Sequence, residues 1–520
     1  MSHRKLLALA LTTVGALAVT TLNTPASVAD DTRSTEPAQA SSSEYYEDYT
    51  TTIIVQLADD APALAEMKER VSASVAAAVP GANVTGVREY THVLRGFAIR
   101  APMSALKAIK ATPGVKAAFK DRYSATVYDE YGPSSSGNKD KDHDPAHSAA
   151  MDMTAAAQAT HKGSGQVIEV IDTGFDTSHA AFAGPVEGAR LAQSDVASLT
   201  AGLGDGRGGG WVSAKIPFAY DYADGDADVS YPDPGQFPDQ TSDARYTHGT
   251  HVAALAAANG SEFRGAAPDA QLVMAKVLGD DDQEINDSVL LAALDDAAIL
   301  KPDVLIVSVG DNAGQNGDAL ATYADVYAAL TAQGIAINAP AGDYTSSAWG
   351  NWNKGDQPFA TDADYGAIIL PALDSNALAV ASLDEVDKRD GQPLADPSPS
   401  RFSSWGVTPD LRLKPEIAAP GGDVMSALPA GSYGRRAGTA EASAQVAGIA
   451  ALVRQRVATD PMFSGLSAEE KNAVVTNLLM GTAHPVVDTT RGGHTFYSPR
   501  KVGAGMVDAV AATTSSVYPT

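Results

Sequence analysis

Three short stretches carry residues that could do acid–base chemistry together. In VIEVIDTGFDTSH an apolar run ends on Asp172 and Thr173-Gly174 then turn the chain, which sets one carboxylate at the end of a buried strand. In THGTHVAALAAA, His248 precedes a glycine and enters an alanine-rich helix able to pack closely on a sheet. In AGTAEASAQVAGIAALV a glycine-led turn opens a small-residue helix. Residue 440 falls at the amino end of that helix, where outward N–H groups stabilise developing negative charge. An acid that orients an imidazole, an imidazole that takes a proton and a nucleophile at a helix start would together make a hydrolase. Position 440, however, is alanine, and a methyl group cannot attack a carbonyl.

Each stretch also has a plainer meaning. D-T-G by itself is a strand-end turn. His248 and His251 could ligate a metal, but no Asp or Glu stands in a third ligand position nearby, which disfavours zinc. Ser443 lies about 4.5 Å further along the helix axis than residue 440 and about 60° round it, and the chain has no cysteine to replace a hydroxyl.

The elements that must hold these residues follow from the apolar pattern. QVIEVID, LVMAKVL, DVLIVSVG and IAINAPAG read as buried strands, with helices at NDSVLLAALDDAAIL and ALATYADVYAALTAQ between them. That alternation predicts an α/β fold, a doubly wound parallel sheet covered on both faces over residues 151–520, with function at the carboxyl ends of its strands. Residues 49–128 read as strand TTIIVQL, a helix over 61–79, strands NVTGVREYT and RGFAIRAP, a helix near 103–111 and strand VKAAFKDRY. This β-α-β-β-α-β order is a small ferredoxin-like α+β domain. Between the two domains, the polar stretch within 129–150 reads as an exposed linker open to nicking.

Residues 1–29 carry Arg4 and Lys5, an apolar run from Leu6 to Val19 and the ending Ser27-Val28-Ala29, a signal-peptide pattern that implies secretion. Residues 30–48 lack apolar periodicity and read as a disordered leader. A length of 520 residues with 44% hydrophobic content suits a globular protein of one large and one small domain. The net charge of -26 argues against nucleic acid as a partner. No later segment reads as a membrane anchor. With zero cysteines, stability must come from core size, with bound ions as an optional addition. The loop DYADGDADVSYPDPGQFPD lacks Gly at the sixth place counted from Asp224 and Glu at the twelfth, so it is not an EF-hand. It is either solvated or an irregular calcium loop; no cofactor is required by the residues, and calcium stays open.

The order DTG, HGTHVA, MAKVLGDDD, LKPEIAAPGG, GTAEAS and GAGMVDA resembles the subtilisin-like serine peptidases, or subtilases. Within them it resembles the bacterial cell-envelope proteinases of the lactocepin and complement-cleaving kind, over residues 49–512. The resemblance implies that 49–128 is an inhibitor-like propeptide domain and that 151–520 is a subtilisin-like peptidase domain. It also implies that Asp172 fixes the tautomer of His248, that His248 is the base, and that residue 440 should be the nucleophilic serine. Ala440 stands there instead. Where the family has an oxyanion asparagine after Ala-Gly, this chain has Asp343, by replacement or by a one-residue deletion. Where the family reads Met-Ala-Ser-Pro-His, it has Glu441-Ala442-Ser443-Ala444-Gln445. In subtilisin itself, loss of the serine costs about 10⁶ in turnover and loss of the oxyanion donor about 10² to 10³.

By the same resemblance, VSVGD at 307–311 and APAGD at 339–343 wall the primary specificity pocket and LGDDDQEIND lies by the next subsites, where acids favour basic peptides. The implied partners are peptide- or protein-like ligands and the chain's own propeptide, bound to a monomer. Three readings stay open. The first is a catalytically silent pseudoprotease that binds or sequesters peptides. The second is an active serine endopeptidase, if Ala440 is an engineered or erroneous change. The third is an inhibitor or chaperone module built on 49–128.

Overall fold

The computed structural model describes residues 49–124, 149–203, 207–230, 244–282, 284–310, 317–344, 367–384, 397–489 and 495–518, all within one contact unit, Asp48–Thr520. The expected signal peptide, the leader and residues 129–148 of the expected linker lie outside the described residues. Residues Ala149–Met153 form a helix that crosses the expected boundary at 151, with Ala150 and Met151 buried in the main core.

In chain order the elements begin with β1 Thr50–Leu57, α1 Leu64–Ala78, β2 Thr85–Tyr90, β3 Gly96–Pro102, α2 Leu106–Lys110, β4 Val115–Lys120 and β5 Tyr123–Ser124. There follow α3 Ala149–Met153, β6 Val167–Asp172, α4 Gln193–Thr200, β7 Phe218–Asp221, α5 Ala244–Ala257, β8 Gln271–Lys276, β9 Ile285–Asn286 and α6 Asp287–Leu300. The rest are β10 Val304–Val307, α7 Asp318–Ala332, β11 Ala336–Pro340, β12 Ala377–Asp384, β13 Ile417–Gly422, β14 Val424–Leu428, β15 Ser432–Arg436, α8 Thr439–Thr459, α9 Ala468–Gly481, α10 Pro499–Val502 and α11 Ala509–Thr514.

The amino-terminal strands pair antiparallel in the order β2-β3-β1-β4, the ferredoxin-like sheet expected from the strand–helix order. One sheet face covers Met67, Val71 and Val75 of α1 and Ile109 of α2. The other face presents Ile54, Tyr90, Leu94, Ala98 and Phe119, which join the same hydrophobic cluster as residues of α6 and α7. Each fully buried large side chain there contributes about 1.5–3 kcal/mol.

The main sheet runs β13-β12-β11-β10-β6-β8-β7, with every described pairing parallel. Alternation explains why its strands read as unbroken apolar runs: Ile168 and Val170 face the layer containing α5 and α8, while Val167 and Ile171 face α6 and α7. The chain starts at β6, winds outward to β7 and returns through β8, then crosses to β10 and on to β13. The carboxyl ends of β6 and β10 therefore lie where the winding reverses, and such a switch point opens a crevice.

Candidate active site

Asp172 is the last residue of β6 and is fully buried. Its Oδ1 accepts from the Thr173 amide at 2.6 Å and the Thr173 hydroxyl at 3.1 Å, so the turn after the strand fixes the carboxylate's rotation. His248, near the start of α5, donates from Nδ1 to Asp172 at 2.9 Å (Oδ1) and 3.0 Å (Oδ2). The glycine after His248 permits this approach: a Cβ on Gly249 would stand 2.3 Å from the Gly174 carbonyl oxygen and 3.1 Å from the Asp172 Cβ. Thr250 then accepts the Asp176 amide at 2.9 Å, tying helix to turn a second time.

His251 does not ligate a metal with His248. Its Nε2 faces the carbonyl oxygens of Val424 at 3.2 Å and Gly434 at 3.3 Å, and so pins α5 to the β14–β15 hairpin that leads into α8. The start of α8 is placed by close backbone approach as well. The Gly438 amide donates to the Gly421 carbonyl at 2.8 Å, and a Cβ on Gly421 would lie 2.5 Å from the Gly438 oxygen, which accounts for the glycine in APGG.

Ala440 is the second residue of α8 and has no exposed surface. The outer nitrogen of His248, Nε2, is buried and has no hydrogen-bond partner among the described residues. The Ser443 hydroxyl is likewise buried and unpartnered, so it makes no bond to His248. Asp343, two residues beyond Ala341, reaches the same helix start: its Oδ1 accepts from the Thr439 amide at 3.0 Å and the Thr439 hydroxyl at 2.9 Å. The structure thus brings Asp172, His248, Ala440 and Asp343 to one place.

Two further charges lie there: Glu441, noted in the sequence only as a departure from the family pattern, and Arg436, not noted at all. Glu441, 2% exposed, lies with Oε1 3.2 Å from His251 Nδ1. Burial works against its charge, yet His251, then His248 and Arg436, hold its carboxyl down to about 2. For His248, burial opposes the cation, but the Asp172 carboxylate outweighs it and Glu441 adds to the effect, so the imidazole's pKa is raised. The available signal was an acid in a run of small residues, matched by Arg436 three residues before the turn's Thr439.

The acidic loop was also tested for calcium. Asp221, Asp224 and Asp280 do converge. The Lys276 ammonium stands among them, 2.7 Å from Asp221, 3.9 Å from Asp224 and paired with Asp280. These carboxylates are answered by the chain's own cation and do not fit a resident calcium. Residues 231–243 of that loop, and Asp311 of VSVGD, lie outside the described residues. Asp280, Asp281, Asp282 and Glu284 are exposed just before β9. On β9 itself, β5 pairs antiparallel, Tyr123 with Asn286 and Ser124 with Ile285.

Comparison with known proteins accords with this geometry. A family model described as the subtilase family matches residues 163–505. The PI-type proteinase of Lactococcus lactis subsp. cremoris is 24% identical over 594 aligned residues, covering 85% of this chain and 30% of that protein. The PII-type proteinase of Lacticaseibacillus paracasei is 24% identical over 595 residues with the same two coverages, 85% and 30%. The C5a peptidase of Streptococcus pyogenes is 36% identical over 121 residues, 23% of this chain and 10% of that protein. The chain spans about a third of the length, or less, of these relatives.

Proposed function

The chain belongs to the subtilase family, and from that premise we propose that it is a secreted, catalytically silent member whose cleft holds extended peptide without cutting it. The observation that carries this reading is Ala440 as the second residue of α8, together with a buried His248 Nε2 that has no hydrogen-bond partner among the described residues. The acid and base of a serine hydrolase are joined, and the atom they would activate is missing. The β5–β9 pairing supports peptide holding, because an extended segment already adds to a strand beside the acidic stretch 280–284. Residues 49–124 are then a propeptide-like domain that the chain cannot remove by its own chemistry. The intact Asp172–His248 pair is equally what an active endopeptidase with serine at 440 would use, and sequencing the source gene separates that reading.

Intact-mass analysis of protein exported from a host lacking extracellular proteases tests the proposal. The expected mass retains residues 49–128 joined to 151–520. A chain beginning within 129–150 in that host would contradict it.

A further inference from the structure

Loss of the hydroxyl is not the only change at the head of α8. A helix start stabilises an oxyanion because its first N–H groups point outward with no partner. Here the Thr439 N–H is taken by Asp343 Oδ1 at 3.0 Å. Two carboxylates close on the same glycine: a Cβ on Gly438 would lie 2.6 Å from Glu441 Oε2 and 3.3 Å from Asp343 Oδ2. His248 Nε2 is buried without a hydrogen-bond partner among the described residues, and Glu441, 3.2 Å from His251, also acts on the His248 ring by its charge. We propose that Asp343 and Glu441 fill the anion-stabilising end of α8 with the chain's own negative charge. The site then stays inert toward acyl chemistry even when residue 440 carries a hydroxyl.

This rests on the silent-subtilase reading and adds a second, independent block. A tetrahedral oxyanion forming beside residue 440 would meet carboxylates where a donor is needed. Glu441 acts as a positioning residue, through the imidazole: it favours the protonated form of His248, which cannot take a proton from a serine. The charged and titratable groups acting on His248 come from four elements: Asp172 on β6, His251 on α5, Arg436 on β15 and Glu441 on α8.

The test uses the full chain in five forms: unsubstituted, Ala440→Ser, Ala440→Ser with Asp343→Asn, Ala440→Ser with Glu441→Gln, and all three substitutions together. Each is reacted with a small fluorophosphonate probe across pH, with thermal melting as the folding control. The triple variant is expected to label at least about 100-fold faster than Ala440→Ser alone. Glu441→Gln is expected to move the acid limb of the labelling profile to lower pH. Ala440→Ser and the triple variant labelling within threefold of each other, at any rate fast or undetectable, would overturn the proposal. Labelling of the unsubstituted chain would instead overturn the silent reading beneath it. Should the multiple variants fail to fold, NMR titration of the His248 ring in the unsubstituted chain and in Glu441→Gln decides. A lower midpoint in Glu441→Gln supports the proposal, and an unchanged midpoint overturns it.

Discussion

At the scale of single residues, the Asp172–His248 pair bears on stability as well as on the proposed site. Burial disfavours the imidazolium, Asp172 overcomes that penalty, and the folded pKa of His248 ends above its value in the unfolded chain. A raised folded pKa gives stability that is complete below the unfolded pKa, about 6.5, and is lost as pH rises through the folded value. Replacing Asp172 with Asn removes the largest favourable cause. Melting temperatures taken from pH 5 to 9 should therefore lose part of their alkaline decline in Asp172→Asn, and parallel curves for the two proteins would refute this. Asp172, His248, Ala440 and Asp343 were singled out in the sequence because each sits in a short pattern with glycine neighbours, and Asp172 does contact His248 while Asp343 contacts Thr439, beside Ala440. Glu441 and Arg436 were not read as charges of the site, because their partners His248 and His251 come from the distant helix α5 and no local spacing links them.

At the scale of elements, the docking of the amino-terminal sheet turns on one buried acid of α6. Asp295 Oδ2 accepts the Thr91 amide at 2.8 Å, while Oδ1 accepts those of His92, Val93 and Leu94 at 3.0, 2.8 and 2.9 Å. Four consecutive N–H groups form a nest around the carboxylate. Its neighbour Asp296 takes both arms of Arg207 at 2.9 Å. Truncation by Asp295→Ala leaves four amide donors without their acceptor, the buried Leu94 amide among them, and should cost about 1–3 kcal/mol. Hydrogen exchange would then show residues 85–102 opening faster while β6, β8 and β10 keep their protection; equal rates in both proteins would count against the nest. Periodicity made readable the β-α-β-β-α-β order and, in the large domain, strands β6, β8, β10 and β11 with helices α6 and α7; β7, β12 and β13 of the same sheet were not read. The expected helix over 61–79 is Leu64–Ala78, and VKAAFKDRY divides after Lys120. The division has a tertiary cause: Asp121 turns to accept the Ser288 amide at 3.0 Å near the start of α6, leaving β5 to pair elsewhere. Asp295, Asp296 and Glu169 were not singled out in the sequence. Glu169 is fully buried, and burial followed by the charge of Asp296 pushes its carboxyl well up.

At the scale of the whole molecule, a parallel sheet between two helical layers holds Asp172 beside His248, and the amino-terminal sheet packs on the α6–α7 side. The zero-cysteine composition required a large core, and the two clusters on either side of the main sheet supply it. The measurement that bears most directly on the account is casein hydrolysis by the unsubstituted, purified chain, followed through successive columns against an inactivated control. The account predicts hydrolysis no faster than the control in every fraction that contains the protein. Hydrolysis that co-elutes with the protein at a rate typical of a protease would contradict it.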